Sequence, residues 1–220
     1  MKIGIIGAGM IGGTLTRRFR ALGYDVEVAN SRSPETLSAL ARETGARAVT
    51  VRDAARGKDV VVVTIPLKNV AALPEGLLDG TPKTAVIIDT NNYYPQRDGK
   101  ISEIEAGMPE SRWVEQQLGR PVVKVFNGIT AQHLLENGRP KGSPDRIALP
   151  VAGDEPQKKE LVMRLVDELG FDPVDAGGVD QSWRQQPGTP CYGADLGVEG
   201  LRKALADASA IRGPEWRAKN

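Results

Sequence analysis

The sequence predicts an α/β protein with a doubly wound, mainly parallel sheet and helices on both faces. Two observations support this prediction. Short apolar runs, several of them rich in β-branched residues, alternate along the chain with segments of helical periodicity. The first apolar run ends in the glycine pattern GAGMIG at residues 7–12, and a helix-like segment follows at once. This order of strand, turn and helix is typical of dinucleotide-binding, Rossmann-like domains.

The first unit of this fold is a strand, a helix and a second strand. We expect a strand at Ile3–Ile6, a helix whose apolar residues recur at helical spacing up to Leu22, and a strand at Asp25–Val28. The three glycines of such a turn allow, in order, the tight bend, the approach of a pyrophosphate, and close packing of the helix. Free N–H groups at the helix start then face the phosphates. The predicted pyrophosphate-binding residues are Gly7, Ala8, Gly9, Met10, Ile11 and Gly12.

The residues after the second strand indicate which dinucleotide is bound. NAD-binding proteins usually have an acidic residue here, which accepts hydrogen bonds from the ribose 2′-hydroxyl. This chain has Asn30, Ser31 and Arg32 instead. A hydroxyl and a guanidinium both bind a 2′-phosphate, whereas a carboxylate repels it. We therefore predict NADP(H) as the cofactor; the alternative is that these residues only form a solvated turn before the next helix.

The remaining elements follow in the order that a parallel sheet with right-handed crossovers requires. We expect strands at 46–49, 59–65, 84–89, 121–126, 146–152 and 171–176, helices at 34–44, 131–137, 154–169 and 195–210, and one helical turn at 53–56. The run at 59–65 is continuously β-branched, as expected of a strand buried on both faces. The sequence thus predicts a single Rossmann-like domain at residues 1–178. A loop and a C-terminal helix at 179–220 complete this domain or form a dimer interface.

Composition and charge argue against several classes of protein. The 220 residues include 29 basic and 28 acidic side chains without a dense basic block, so no nucleic-acid or membrane partner is expected. The single cysteine, Cys191, rules out a disulfide framework, and the single histidine, His133, argues against a zinc site. No apolar stretch reaches membrane-spanning length, and the N-terminal apolar run is too short for a signal peptide. These features predict a cytoplasmic protein.

The loops at the carboxyl ends of the strands are the expected ligand site of a doubly wound sheet. They contain Thr64, Ile65, Pro66, Asn91 and Asn127, which we expect to contact the cofactor. Asn91 has two interpretations: it hydrogen-bonds the ribose or carboxamide, or it only shapes the turn. The nicotinamide face would remain open to a second reactant.

The second reactant determines whether a proton donor is required. Hydride transfer to a flavin or deazaflavin depends mainly on orientation, whereas reduction of a carbonyl or imine needs a proton donor. His133, Tyr93 and Tyr94 are the candidates. Alternatively, the histidine is a packing residue, and the tyrosines are pocket walls or subunit contacts. The segment 183–193 is a lid on the second reactant, an arm on a partner subunit, or a plain connector.

Several segments together resemble the deazaflavin-dependent NADP oxidoreductases, in which NADPH and 8-hydroxy-5-deazaflavin (coenzyme F420) exchange a hydride. They are KIGIIGAGMIGGTL, NSR, VVVVTIP, VVKVFNGITAQHL, LPVAGDEPQKKELVMRLVDELGF and PVDAGGVDQSW, in order from residue 1 to about 183. The related reductase domain of the STEAP metalloreductases is similar at IDTNN. The resemblance implies that Ser31 and Arg32 bind the 2′-phosphate and that residues 127–130 lie near the nicotinamide. The segments IDTNNYYPQRDG and RQQPGTPCYG depart from the family pattern.

These observations predict an NADPH-dependent oxidoreductase. It would transfer hydride between NADP(H) and a flavin-like or deazaflavin coenzyme or another small redox acceptor. Two alternatives remain open, namely a non-catalytic NADP(H)-sensing module and a reductase of small carbonyls or imines. The late helix and the loop before it make a homodimer the expected assembly.

Overall fold

The computed structural model describes residues 1–219, which form one eight-stranded sheet of order β3-β2-β1-β4-β5-β6-β7-β8. The strands are β1 (Lys2–Ile6), β2 (Asp25–Ala29), β3 (Arg47–Ala48), β4 (Val60–Val63), β5 (Val86–Asp89), β6 (Val122–Lys124), β7 (Ala148–Gly153) and β8 (Asp172–Asp175). Neighbouring strands pair in parallel, except that β7 runs antiparallel to β6. The predicted doubly wound, mainly parallel α/β sheet is confirmed.

Helices cover both faces of this sheet. They are α1 (Met10–Ala21), α2 (Ser38–Thr44), α3 (Val51–Ala55), α4 (Pro95–Asp98), α5 (Ser102–Glu105), α6 (Glu110–Leu118), α7 (Ala131–Glu136), α8 (Pro156–Glu168) and α9 (Val198–Ala206). Short 3₁₀ helices occur at Pro34–Leu37, Leu67–Ala72, Val179–Gln185 and Pro214–Trp216. The helices α4, α5 and α6 were not predicted from the sequence. The first two span only four residues each, and the buried face of α6 includes the polar residues Glu110 and Ser111, so none shows a clear apolar stripe.

Two hydrophobic cores lie on opposite faces of the sheet. Val60 and Val62 of β4 belong to one core and Val61 and Val63 to the other, so this strand is buried on both faces as predicted. Helices α1, α7 and α8 supply apolar side chains to the first core, and α3 and α6 supply them to the second. A smaller cluster packs α9 against β7 and β8. No helix within the described range is both long and apolar enough to cross a membrane.

Candidate functional site

The loops that leave β1, β4, β5 and β6 begin side by side at the carboxyl edge of the sheet. Beyond each strand, the sheet pattern continues by one backbone hydrogen bond to the neighbouring strand. These bonds run from Gly7 N to Ala29 O at 2.8 Å, Thr64 N to Ile6 O at 2.9 Å, Thr90 N to Val63 O at 3.2 Å and Val125 N to Asp89 O at 3.1 Å. The order of the strands reverses between β1 and β4, which is where a doubly wound sheet binds its ligand.

The three glycines of the turn have different physical roles. Gly7 has a φ of 112°, and a Cβ there would lie 2.1 Å from the carbonyl oxygen of Thr64. A Cβ on Gly12 would lie 1.8 Å from the carbonyl oxygen of Gly7. Folding itself therefore requires glycine at these two positions. A Cβ on Gly9 would meet nothing within 4 Å, so the free space at this position suits the approach of a ligand instead.

The N-terminus of α1 is available to an anion. Gly9 caps this 12-residue helix without any side-chain capping bond, and the first turn contains no acidic residue. The first N–H groups of a helix lack partners within the helix, and they carry the positive end of its dipole. The side chain of Met10 is 81% exposed at this end. The turn therefore fits the pyrophosphate of a dinucleotide.

A cleft of about 600 Å³ opens beside the glycine turn. Its lining includes eight of the predicted cofactor-binding residues, which are Gly7, Ala8, Gly9, Asn30, Ser31, Thr64, Ile65 and Pro66. Val51, Leu73 and Pro74 line it as well and were not predicted. They come from α3 and from the end of the 3₁₀ turn after Pro66, segments whose position beside β1 depends on the fold. The cleft thus joins the glycine turn to an apolar wall.

The polar rim of this cleft contains no carboxylate at the position where NAD-binding proteins carry one. The side chain of Asn30 accepts a hydrogen bond from Arg32 N at 2.8 Å and donates one to Thr36 Oγ1 at 3.0 Å. Ser31 and Arg32 are exposed. The Arg32 guanidinium forms no ion pair with any residue of the described part of the chain. An asparagine-bridged turn therefore presents the Ser31 hydroxyl to the cleft, and the next residue, Arg32, carries an exposed guanidinium. Together they form a donor set that suits a phosphate.

Asn91 supports the wall of the cleft from below. Its Oδ1 accepts a hydrogen bond from Ile65 N at 3.0 Å, and its side chain is 3% exposed with the Nδ2 atom unpartnered. Lys124 is fully buried and donates both to the Asn91 carbonyl and, at 3.2 Å, to Asp89 Oδ2. Ser111 donates to the same carboxylate at 2.7 Å. A buried ion pair thus fixes the loop that leaves β5. Each charge of the pair compensates the other in an environment without water.

Asn127 is held in a network of amide side chains. Its Nδ2 donates to Gln185 O at 2.6 Å and to Asn92 Oδ1 at 3.1 Å, and its Oδ1 accepts from Gln185 Nε2 at 3.0 Å. The residue before it, Phe126, has a φ of 61°, which is unusual for a bulky side chain. The Asn127 side chain thus has its hydrogen bonds within the protein, and it does not line the cleft.

The predicted proton donors lie in three different environments. Tyr93 is fully buried, and its hydroxyl lies 2.8 Å from Gly99 O and 2.9 Å from Glu105 Oε1. Burial is the main cause that raises the pKa of Tyr93 to about 12. The structure therefore places Tyr93 in the core, away from the cleft. Its neighbour Tyr94 is partly exposed, and its hydroxyl contacts that of Tyr192.

His133 lies in the first turn of α7, whose N-cap Thr130 accepts a hydrogen bond from His133 N at 3.1 Å. Its Nδ1 is 2.5 Å from Asp195 Oδ2, and both side chains are about one-third exposed. The helix packs against α1. The predicted lid segment 183–193 contains Tyr192, but the sequence did not link Tyr192 to Tyr94 or Asp195 to His133. No local pattern connects partners that are 98 and 62 residues apart.

No group of three or more histidine, cysteine, aspartate or glutamate side chains is placed to hold a metal ion in residues 1–219. Cys191 is buried, and burial raises the pKa of its thiol. Its sulfur contacts the carbonyl oxygen of Arg184. The thiol is accordingly protonated and unreactive at neutral pH.

Comparison with known families gives a match over the N-terminal part of the chain. Residues 2–93 match the model of the family described as "NADP oxidoreductase coenzyme F420-dependent". The Escherichia coli K12 protein YjhV is 51% identical over 73 residues, which are 33% of this chain and 53% of that protein. The chain thus matches about half the length of this relative. The resemblance predicted from the sequence is confirmed for residues 2–93.

Solved structures share the fold over most of the chain. The hypothetical protein SMa0349 from Sinorhizobium meliloti has a TM-score of 0.75 at 29% identity, with 89% of this chain and 95% of that chain covered. A protein of Arthrobacter sp. FB24, described provisionally as an F420-dependent NADP reductase, has a TM-score of 0.67 at 22% identity, with 83% and 87% covered. An imine reductase from Myxococcus stipitatus in complex with NADP⁺ has a TM-score of 0.60 at 19% identity, with 94% and 60% covered. The second and third likenesses concern the fold alone.

Proposed function

We propose that this chain, whose first 93 residues contain the segment matched by the F420-dependent NADP oxidoreductase family, is an NADPH-dependent reductase. Its second reactant is a flavin-like or deazaflavin coenzyme or another small redox acceptor. The observation that supports this most directly is the juxtaposition in one cleft of an uncapped helix N-terminus and a rim without a carboxylate. These features suit a dinucleotide that carries a 2′-phosphate.

Each part of the cofactor has a matching surface. The backbone of residues 7–12 would hold the pyrophosphate, and Ser31 and Arg32 would hold the 2′-phosphate. The apolar wall at Val51, Leu73 and Pro74 suits the flat adenine ring. The nicotinamide end would lie towards Thr64–Pro66 and Asn91, further along the same sheet edge. When bound, NADPH supplies a hydride to the second reactant.

Two features beyond the proposed nicotinamide end of the site suit a second reactant. The aromatic side chains of Tyr94, Tyr192 and Trp216 cluster there, and flat redox rings bind well against aromatic walls. The His133–Asp195 pair, whose side chains are about one-third exposed, adds a polar contact. A reductase of small carbonyls or imines is the second candidate, because the hydroxyls of Tyr94 and Tyr192 offer hydrogen-bond donors. A sensing module remains the alternative from another class.

The test is steady-state oxidation of NADPH at 340 nm with 8-hydroxy-5-deazaflavin, FMN, FAD, a ferric chelate and a small cyclic imine as acceptors. NADH at the same concentration is the matched control. Turnover that is faster with NADPH than with NADH supports the proposal. Tight binding of both NADP⁺ and NADPH without turnover on any acceptor contradicts it and favours the sensing module. Turnover on the imine alone favours the second candidate.

We further propose a cytoplasmic homodimer without a nucleic-acid or membrane partner. The late helix α9 and the segment 183–193 before it are the proposed interface. The near balance of basic and acidic residues supports the absence of a polyanionic partner. Light scattering after size exclusion tests the assembly: a mass near twice 23.6 kDa is expected, and a mass near 23.6 kDa would contradict the dimer.

A further inference from the structure

Tyr94 and Tyr192 come from loops 98 residues apart, yet their hydroxyls are hydrogen-bonded to one another. Both rings pack against Trp216, with centroid distances of 6.0 Å and 6.4 Å. The guanidinium carbon of Arg97 lies 4.8 Å from the centroid of the Tyr94 ring. These contacts hold the two phenols in a fixed relation and shield one side of them from water.

The hydrogen-bond pattern leaves this pair with a donor in excess. Two phenols carry two hydroxyl protons, and the bond between them uses only one. Asn92 Nδ2 lies 3.5 Å from the Tyr192 oxygen, and as an amide N–H it can only donate to it. Among residues 1–219, no carbonyl or carboxylate accepts the second proton. By contrast, the hydroxyl of Tyr93 has both acceptors and a donor around it.

The position of the pair links it to the reactive end of the site. Asn92 joins the pair to Asn127 by a hydrogen bond from its Nδ2 to Asn127 O at 2.9 Å. The loop that bears Tyr192 is tied to the same place, because Gly193 N donates to Gly128 O at 2.9 Å. The adjacent Asn91 contacts the backbone of Ile65 in the wall of the cleft. The pair therefore lies at the carboxyl ends of β5 and β6, beyond the nicotinamide end of the proposed function.

We propose that Tyr94 and Tyr192 form a proton-donating pair for the second reactant, in which Tyr94 touches the reactant and Tyr192 positions and polarises it. The donors then point in one direction, from Asn92 to Tyr192, from Tyr192 to Tyr94 and from Tyr94 to the reactant. Such chains strengthen each hydrogen bond in the series. This inference rests on the proposed function and adds the chemical class of the second reactant. Such a reactant carries a nitrogen or oxygen conjugated to the carbon or nitrogen atom that accepts the hydride.

A hydride that reaches the accepting carbon or nitrogen displaces the electron pair of the conjugated C=N or C=O system onto the terminal nitrogen or oxygen of that system. Tyr94 transfers its phenolic proton to that atom, and the phenolate takes a proton from Tyr192, which regains one from water. The acceptor gains a hydride and a proton, and the nicotinamide is oxidised. Burial and the bond to Tyr94 raise the pKa of Tyr192, which keeps its phenol protonated at neutral pH.

The test compares Tyr94→Phe and Tyr192→Phe with the unchanged protein, using 8-hydroxy-5-deazaflavin and FMN as acceptors. Tyr24→Phe is the matched control, because it removes a hydroxyl that binds Glu168 on a different part of the molecule. We expect kcat to fall about 100-fold in Tyr94→Phe, which is the scale of general acid catalysis, and about tenfold in Tyr192→Phe. The Kd for NADPH should stay within about twofold. The solvent deuterium isotope effect on kcat should change in both variants and not in the control.

A binding measurement gives a readout independent of turnover. The reduced, anionic forms of the same two acceptors are titrated under anaerobic conditions, with quenching of tryptophan fluorescence as the signal, since Trp216 packs on both phenols. Tyr94→Phe should weaken this binding about tenfold, because it removes a hydrogen bond to a charged acceptor. Phe variants with unchanged kcat and unchanged binding overturn the inference alone. Absence of NADPH oxidation by the unchanged protein overturns the proposed function, and the inference with it.

Discussion

Replacement of Arg32 by alanine is the sharpest perturbation of cofactor choice. The guanidinium belongs to the residue after Ser31, which lines the cleft, and it is exposed without an ion pair to any described residue. Its removal therefore leaves no buried partner unsatisfied. A hydrogen bond to a charged group contributes about 1.5–3 kcal/mol. Because this side chain is exposed and screened by salt, we expect the lower end, about 1.5 kcal/mol, which is roughly a tenfold weaker Kd for NADPH.

The converse change concerns Asn30. Asn30→Asp keeps the oxygen that accepts from Arg32 N but adds a negative charge where a 2′-phosphate would lie. At about 4 Å in water, a pair of unit charges interacts by about 1 kcal/mol. We therefore expect Asn30→Asp to bind NADPH about fivefold more weakly than the unchanged protein. It should bind NADH more tightly, because the 2′-hydroxyl of NADH can donate to the new carboxylate.

Isothermal titration with NADPH and NADH at low and high salt measures both effects. Arg164→Ala is the charge-matched control, since Arg164 lies on α8 and pairs with Glu160 one turn away. Arg32→Ala should weaken only NADPH binding, most strongly at low salt. An NADPH Kd within twofold of the unchanged protein would refute the assignment of Arg32 to the 2′-phosphate. Equal weakening of both dinucleotides would instead place Arg32 on a group that the two share.

Three further predictions concern the turn and the core. Gly9→Ala should leave the melting temperature unchanged and weaken NADPH binding at least tenfold. Gly12→Ala should lower the melting temperature in a thermal scan, because its Cβ would lie 1.8 Å from a backbone oxygen. Equal melting temperatures of the two variants would contradict this contrast. Lys124→Met should lower the free energy of unfolding in urea by about 3–5 kcal/mol, since it leaves the fully buried Asp89 without its charged partner. Adding Asp89→Asn should recover part of this loss. If the losses of the two single variants simply add in the double variant, the ion pair does not stabilise the fold. Tyr93→Phe should cost about 0.5–1.5 kcal/mol in the same measurement, because the hydroxyl loses its hydrogen bonds to Gly99 O and Glu105 Oε1. An unchanged unfolding midpoint would contradict this anchoring role.

The first unit of the fold could be predicted almost residue by residue. Gly7 and Gly12 are required by contacts within a short stretch of chain, and the apolar spacing of α1 is a local pattern. The β-branched strand β4 was equally clear, because burial on both faces leaves a continuous apolar run. Most of the cofactor cleft followed from these segments, since parallel strands bring their carboxyl ends to one edge.

Elements without a local signal were missed. Helix α6 buries the polar side chains of Glu110 and Ser111. A helix with a buried polar face lacks the apolar periodicity that distinguishes a helix from a loop in the sequence. Glu110 is fully buried because Arg212, 102 residues later, binds it at 2.5 Å. Burial is the main cause that raises the pKa of Glu110, and Arg212 opposes it. Such pairs depend on contacts that only the folded chain creates.

Assignments based on residue type alone also needed the fold. Tyr93 and Tyr94 are neighbours in a polar segment, yet one enters the core and the other faces Tyr192. Asn127 was expected to contact the cofactor, but the fold commits its amide to Gln185 and Asn92. The direction of a side chain in an irregular loop is set by long-range packing, and no periodicity encodes it.

The sequence by itself determined the dinucleotide turn, the carboxylate-free residues after β2 and the alternation that forms a parallel sheet. These are properties of short segments, in which glycine sterics, periodicity and charge act locally. Only the tertiary structure decided that β7 reverses beside β6, that Val51, Leu73 and Pro74 close the cleft, and that two tyrosines 98 residues apart share a hydrogen bond. The physical reason is that these contacts gain their energy from burial between distant segments, which no local stretch of the chain contains.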